Sequence, residues 1–554
     1  MNTLNKLYQQ YYFLISIGLL IWITSLLFGS VLCYIIHFPI NSYTIWLINF
    51  CFLISFSIYL IKSQQLVGFK QLFSFWGFFA GIVLLVSLFV SFFYDFSYDG
   101  QAYHGLATIY LNNGWNPFLY HLSEDGVNNI YINHYTQGSW IAYNAFYTMF
   151  GNFETAKMVN LLMMFSVAGI CYDTFQKLKI VNSISHLYAL LIAFHPVCLN
   201  MFLGMCIDGQ LSSCIMIIIA IFIQWHIGVI DKTRILILIV ALAFLINIKF
   251  TGLIFALFFC GCFGFVLLFE KRLMQNLKFI SIIAIGIFIA TSSIGYPSYV
   301  RNTIEHNYPF YPLHHTTTQK SVLSIEPSSF SNQNRFLSFG QSLFAKTGYS
   351  NYYFKPIQYK IPFSISKYEL ERYAFSGVMI GGLGVWFGYL FCIGLVFLII
   401  TFIYDTSKQR KRRILILVGI VFASAFVLEA PWWARYAPQI YLIPIISILY
   451  FNFVFSKQKI IFFGFSALFI INSTLILLPY IGANFMVTQK VKKQYQELKQ
   501  TNQTYFVDFR NSQSQRVRFD RYQIPIIEIS SSEFPDKKFD TIFQSEVVFY
   551  PAYP

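Results

Sequence analysis

Apolar runs long enough to cross a bilayer recur from one end of this chain to the other, and they decide what it can fold into. A helix needs about 20 residues to cross the hydrocarbon core. Segments of that character lie near residues 11–36, 43–61, 71–93, 156–174, 184–203, 210–229, 235–248, 251–269, 279–297, 374–403, 414–430, 438–455 and 459–483, about thirteen in all. A water-soluble globule does not have this composition: 56% of the 554 residues are hydrophobic, 11% are charged and the mean hydropathy is +0.58. The chain reads as an all-α polytopic membrane protein. The seventh and eighth segments are separated only by Lys249 and Phe250, and they read either as two spans or as one broken or re-entrant element.

The formal net charge of +15 is scattered through short loops rather than gathered into one basic face, which argues against a nucleic-acid partner. Alternate loops carry the positive residues: Lys62 to Lys70, Lys177 and Lys179, Lys232 and Arg234, Lys271 to Lys278, Lys408 to Arg413, and Lys457 with Lys459. Cytoplasmic loops are the Lys/Arg-rich ones. This assignment puts the N-terminus inside and puts 94–155, the turn around Asp208, 298–373, the turn around Arg435 and the tail from 486 outside. The first helix is too long for a secretory signal and lacks its small-residue cleavage site, so it reads as an uncleaved span. With no retention signal visible, a bacterial inner membrane is the expected location.

Eight of the nine cysteines fall in spans or at their ends and Cys206 sits in a short turn, so the outer loops carry no disulfide framework. The chain has no Cys/His zinc spacing, no phosphate-cradling GxxxxGK loop and no GxSxG elbow. No cofactor is called for, and no metal ligand set is evident.

Candidate chemistry lies in the outer segments. The stretch 95–153 is a long polar and aromatic interruption that opens DFSYDGQAYHG. On a helix starting near Ser97, Asp99 and Tyr103 share a face, with Asp95 and His104 beside them. Asp99 reads either as a general base for an acceptor hydroxyl or as an N-terminal cap. Asp208, in MCIDGQL, is an ionisable group between two apolar helices and reads either as a site residue or as a cap. Arg435, in PWWARYAPQ, is a guanidinium beside Trp432, Trp433 and Tyr436, suited to a phosphate or to interfacial anchoring. Arg301, His306, His314 and His315 cluster after the ninth span without a compact zinc spacing. Glu429, near Arg435, is expected to pair with an arginine.

Six pieces of sequence, in this order, carry a resemblance: DGQAYHGLATIYLNNGWNPF, YINHYTQGSWIAYNAFYTMFGNFETAKMVNLL, MCIDGQL, LAFLINIKFTGLIF, YPSYVRNTIEHNYPFYPL and WWARYAPQ, spread over residues 95–440. Together they resemble the GT-C fold glycosyltransferases, the broad group that includes protein O-mannosyltransferases (glycosyltransferase family 39) and lipid A aminoarabinose transferases. The resemblance implies a transmembrane GT-C-like domain over 1–485 and a polyprenyl-phosphate-linked sugar donor. It implies Asp99 as the catalytic carboxylate, with Asp95 as the alternative, and it matches Asp208 to the acidic position of a later outer turn. Arg435 matches a basic position near the lipid phosphate.

The chain departs from the family where relatives of the O-mannosyltransferase type carry Lys-Pro-Pro; here it reads Asn133, His134, Tyr135. His134 or Lys249 is then expected to reach the donor phosphate, with Arg301 assisting Arg435. The adjacent carboxylate pair of the protein mannosyltransferases is missing, so a glycan or lipid acceptor is expected rather than a protein. Tyr103, His104, Trp433 and Tyr436 are expected to face the substrate. Two other classes compete: a lipid-linked glycan polymerase or ligase, and a transporter, which would place its ionisable groups mid-bilayer. The polar segment 301–373 reads as a lid or as a solvated loop. The tail 486–554, with the charged helix KVKKQYQELKQ followed by TYFVDF, IPIIEIS and DTIFQSEVVFY, reads as a small α/β appendage.

Overall fold

The computed structural model describes the chain except residues 1, 64, 67, 230, 270–272, 314–325, 331–332, 349–356, 535–536 and 553–554. Among the described residues, nine helices are long and apolar enough to cross a membrane: Gln10–Ile35, Ser42–Lys62, Phe69–Phe92, Phe153–Lys177, Asp208–His226, Phe250–Leu268, Asn276–Ile294, Phe387–Tyr404 and Lys459–Gln500. Phe153–Lys177 and Asp208–His226 are buried nearly all round, while Ser42–Lys62 and Asn276–Ile294 turn most of their apolar surface outward. Apolar side chains displayed to the surroundings, such as Leu47, Phe50, Ile285 and Phe288, are what a lipid-facing helix requires.

The other four apolar segments form shorter helices: Asn182–Ala193 with 12 residues, Lys232–Ile248 and Lys408–Ser424 with 17 each, and Pro438–Val454. The run 184–203 does not continue as one helix because His195 is extended before Pro196, the conformation that a following proline favours. The run 374–403 is helical only from Phe387. Its first part carries Gly377, Gly381 and Gly384 at positive φ, backbone that ordinary residues rarely adopt.

Lys249 is the sharpest local feature of the bundle. Lys232–Ile248 and Phe250–Leu268 are two separate helices joined by this single extended residue, at φ −161° and ψ 149°. Gly252 follows so closely on the first helix that a Cβ would lie 2.0 Å from the Leu245 carbonyl oxygen. The chain therefore breaks rather than bends, and the break carries the Lys249 side chain to the end of the bundle where the first long loop lies.

The last span does not stop where the hydrophobicity stops. Lys459–Gln500 is one helix of 42 residues, about 60 Å long, and it passes through residue 485 without a linker. Its charged end packs into a small unit whose strands β1 (Tyr505–Asp508), β2 (Ile526–Glu528), β3 (Asp540–Thr541) and β4 (Val548–Pro551) form a sheet in the order β2-β1-β4-β3. β1 pairs parallel with β2 across the helix Arg516–Tyr522, and antiparallel with β4. The apolar core of this unit joins Val487, Val491, Tyr495, Val507 and Phe519 to Tyr94 and Phe96 of the first long loop.

Candidate active site

The first loop leaves the helix Phe69–Phe92 and is pinned at once by Asp95. Its Oδ1 accepts from the Ser97 amide at 2.8 Å and from Ser97 Oγ at 2.7 Å, and its Oδ2 accepts from the Met205 amide at 3.0 Å. Burial pushes this carboxyl above its ordinary value, against the pull of Lys157 and the Ser97 and Met205 hydrogen bonds. Asp95, the alternative base, is thus committed to joining the first loop to the turn before Asp208. Gly100 packs against it so tightly that a Cβ would stand 2.0 Å from Asp95 Oδ2 and 2.3 Å from Ser97 Oγ. Gly100→Ala is therefore expected to destabilise the protein by about 1–3 kcal/mol, read as a lowered melting temperature in detergent.

Gly100–His104 is one wide π-type turn, closed by the Gly105 amide on the Gly100 carbonyl; such turns often sit at functional sites. Asp99 precedes it and makes no capping hydrogen bond. Instead its Oδ2 lies 3.2 Å from Arg435 Nη1. Of the two readings of Asp99, the cap is not formed, whereas Asp95 makes the local backbone bond.

Asp208, Lys249 and Arg435 meet Asp99 at the same place. Arg435 Nη1 is 3.5 Å from Asp208 Oδ2, and Lys249 Nζ donates to Asp208 Oδ1 at 2.9 Å. Four charges from four distant segments form one chain, Asp99–Arg435–Asp208–Lys249. The guanidinium stacks 3.7 Å over the Trp433 ring, and Lys249 Nζ sits 4.9 Å over Tyr436. Asp208 is only 4% exposed, but Asp99 is 27% and Lys249 25% exposed, so the site is open on the Asp99 and Lys249 side. Among the described residues Arg435 Nε and the Trp433 indole N–H have no acceptor, an imbalance that a buried site does not normally tolerate.

Tyr103 and His104 line the same region. Burial raises the Tyr103 phenol well above its ordinary value, and the Asp99 carboxylate adds to this. His104 accepts at Nδ1 from Trp140 Nε1 at 2.6 Å, which leaves Nε2 as the protonated nitrogen. Burial lowers its pKa to about 4, although the Asp99 and Asp208 charges pull the other way. His104 is thus neutral above about pH 4 in the folded protein, while an exposed histidine takes up its proton near 6.5. The unfolded chain binds more protons between those values, so stability is expected to fall as pH drops from about 6.5 to 4, by about 3 kcal/mol from this group. A pH titration of the imidazole by NMR should show no ionisation of His104 between pH 5 and 8.

Two expected phosphate ligands lie elsewhere. Arg301 donates through Nη1 to the Pro117 carbonyl at 2.8 Å and through Nη2 to the Phe118 carbonyl, fixing the loop rather than assisting Arg435. His134 is buried; its Nδ1 meets Asn302 Oδ1 at 2.8 Å, and its ring packs on His121, His306 and Tyr311. Of the alternatives for the missing lysine, Lys249 is the one at the charge cluster. His314 and His315 lie outside the described residues; among those described, no three His, Cys, Asp or Glu side chains are arranged to hold a metal ion. Glu429 is exposed, and no ion pair involves it among the described residues.

Nothing in the sequence marked Tyr135 as a site residue; its phenol is raised mainly by burial and also by the charges of Tyr131, Tyr436 and Asp99. The same holds for Trp140, which sets the His104 tautomer, and for the assembly of a buried ionic group, Glu154, Lys157 and Arg518, behind Asp95. Only Glu154 and Lys157 carried a signal, as an (i, i+3) pair at the start of an apolar run. No protein-family model matches the chain, and no curated protein matches it in sequence.

Proposed function

We propose that this protein is a membrane glycosyltransferase that moves a sugar from a polyprenyl-phosphate-linked donor to a hydroxyl of a glycan or lipid acceptor. The observation that carries the reading is the convergence of Asp99, Asp208, Lys249 and Arg435, with Arg435 Nε and the neighbouring Trp433 indole N–H lacking acceptors among the described residues. A phosphate group supplies oxygens for such donors, and Arg435 Nη1 is already divided between two carboxylates at 3.2 and 3.5 Å. An arriving phosphate draws the guanidinium away from Asp99 and leaves that carboxylate free as a base.

In the reaction the acceptor oxygen bonds to the anomeric carbon as the carbon–oxygen bond to phosphate breaks. The acceptor proton passes to Asp99, and the lipid phosphate departs with its charge held by Arg435 and Lys249. Asp208, almost fully buried, keeps both cations in place. The tyrosine faces of Tyr103 and Tyr436 border the space for the sugar. A small cleft lined by Phe339, Ser342, Leu343, Phe387, Trp432 and Ala434 adjoins the segment that carries Arg435; we take it as the start of the path for the lipid.

In this reading the four shorter apolar segments lie within the membrane beside the nine long helices, the 184–203 segment crossing as a broken element, and the site faces away from the cytoplasm of a bacterial inner membrane. The test is mass spectrometry of surface glycans and glycolipids from a deletion strain, with and without the wild-type gene restored. Loss and recovery of a single-sugar increment supports the reading. A changed number of repeats favours a polymerase or ligase, and an unchanged glycan profile overturns it.

A further inference from the structure

Arg518 lies far from Asp99 in sequence, in the short helix of the C-terminal unit, and is only 2% exposed. Its Nη1 donates to Gln515 Oε1 at 2.7 Å, and its Nη2 donates to Glu154 Oε1 at 2.9 Å and to the Asp95 carbonyl at 3.1 Å. Its guanidinium carbon lies 4.3 Å from the centre of the Tyr94 ring. Glu154 in turn accepts from the Asp95 amide at 3.2 Å and from Lys157 at 2.6 Å. The backbone of Asp95 is therefore held on both sides by one ionic group, while its carboxylate reaches Ser97 and Met205.

A second tie runs parallel to the first. Gln515, which also accepts from Tyr495 Oη, donates through Nε2 to Gln101 Oε1 at 2.6 Å, and Gln101 lies in the turn that follows Asp99. Together with Tyr94 and Phe96 in its core, the C-terminal unit grips the chain on both sides of Asp99. Met205 lies three residues before Asp208, so Asp95 also fixes the spacing between the two segments that carry the site carboxylates. Burying a glutamate, a lysine and an arginine together is seldom the most stabilising choice, since well-packed apolar groups often do as well. What a forked guanidinium adds is direction: it holds a carbonyl, a carboxylate and an amide oxygen at once.

We propose that the C-terminal unit is a positioning element of the active site, with Arg518 as the positioning residue that sets the Asp99 turn against the Asp208 turn through Asp95. The activity part of this proposal rests on the glycosyltransferase reading; the structural part does not.

The test uses the full-length protein in lipid nanodiscs, comparing wild type with Arg518→Gln, Arg518→Lys and, as a control on the same helix, Arg516→Gln, whose partner Glu528 is at the surface. Amide hydrogen exchange is followed in peptides covering 95–101 and 203–208, beside kcat and the KM for a polyprenyl-phosphate sugar. Arg518→Gln is expected to speed exchange in both peptides by about tenfold or more, and to lower kcat about tenfold with KM nearly unchanged. Arg518→Lys, a point charge that cannot fork, should fall between Arg518→Gln and wild type, and Arg516→Gln should match wild type. If Arg518→Gln does not fold, Arg518→Lys carries both readouts.

Unchanged exchange in the two peptides overturns the proposal, and so does faster exchange with undiminished kcat. A wild-type protein that turns over no lipid-linked sugar removes the glycosyltransferase reading instead, and the exchange result still decides whether Arg518 positions the two turns.

Discussion

Replacing Arg435 by alanine is expected to lower turnover about 10²–10³-fold, the cost of removing one preorganised donor from a developing negative charge. The geometry gives the reason. Arg435 is the only residue ion-paired with both site carboxylates among the described residues, and its guanidinium lies 3.7 Å over the Trp433 ring, which helps to hold it where an oxyanion would arrive. Arg435→Lys should recover little, because an ammonium neither stacks flat nor offers two parallel N–H groups. The alanine variant should still fold, since Asp208 keeps Lys249 at 2.9 Å. Steady-state kinetics on protein in nanodiscs, with a melting curve as control, checks this. Full turnover of Arg435→Ala at low donor concentration would mean that the phosphate is bound elsewhere.

Asp99→Asn should reduce kcat about 10²–10⁴-fold, the range for loss of a general base, while the KM for the donor changes little. The introduced amide is nearly isosteric with the carboxylate, and Arg435 would retain Asp208, so the phosphate site survives. Asp99 makes no local capping bond, so the substitution should leave the melting temperature nearly unchanged. That pairing of a large kinetic effect with a small stability effect separates a base from a cap. Asp95→Asn should behave in the opposite way, because both of its oxygens hold backbone or hydroxyl donors in a buried loop. Should Asp99→Asn turn over normally, Asp208 would be the remaining carboxylate at the charge cluster.

The membrane character of the chain, the positions of its long helices and the short strands of the tail are local properties, and they are legible as runs of apolar side chains or as β-branched and aromatic clusters. Asp99, Asp208 and Arg435 were also legible, because a charge beside an apolar span is conspicuous. The gap between the seventh and eighth apolar runs marked the break at Lys249, but not its form, one extended residue and a close Gly252–Leu245 contact. One feature was not legible. The charged stretch after residue 485 differs in composition from the span before it, yet the 42-residue helix continues through it, because helix hydrogen bonds do not depend on whether the surroundings are lipid or water.

Arg301 and His134 show the converse. Their residue types suited a phosphate, but a guanidinium placed near loop carbonyls satisfies them, and a buried histidine takes the nearest amide as its partner. By itself the sequence determined that this is a helical membrane protein with acidic and basic groups in the loops between its spans. Only the tertiary structure decided that Asp99, Arg435, Asp208 and Lys249 meet, that Asp95 is part of the frame and that the C-terminal unit grips it. Those outcomes depend on distances between segments from 41 to more than 400 residues apart, which packing fixes and no local pattern encodes.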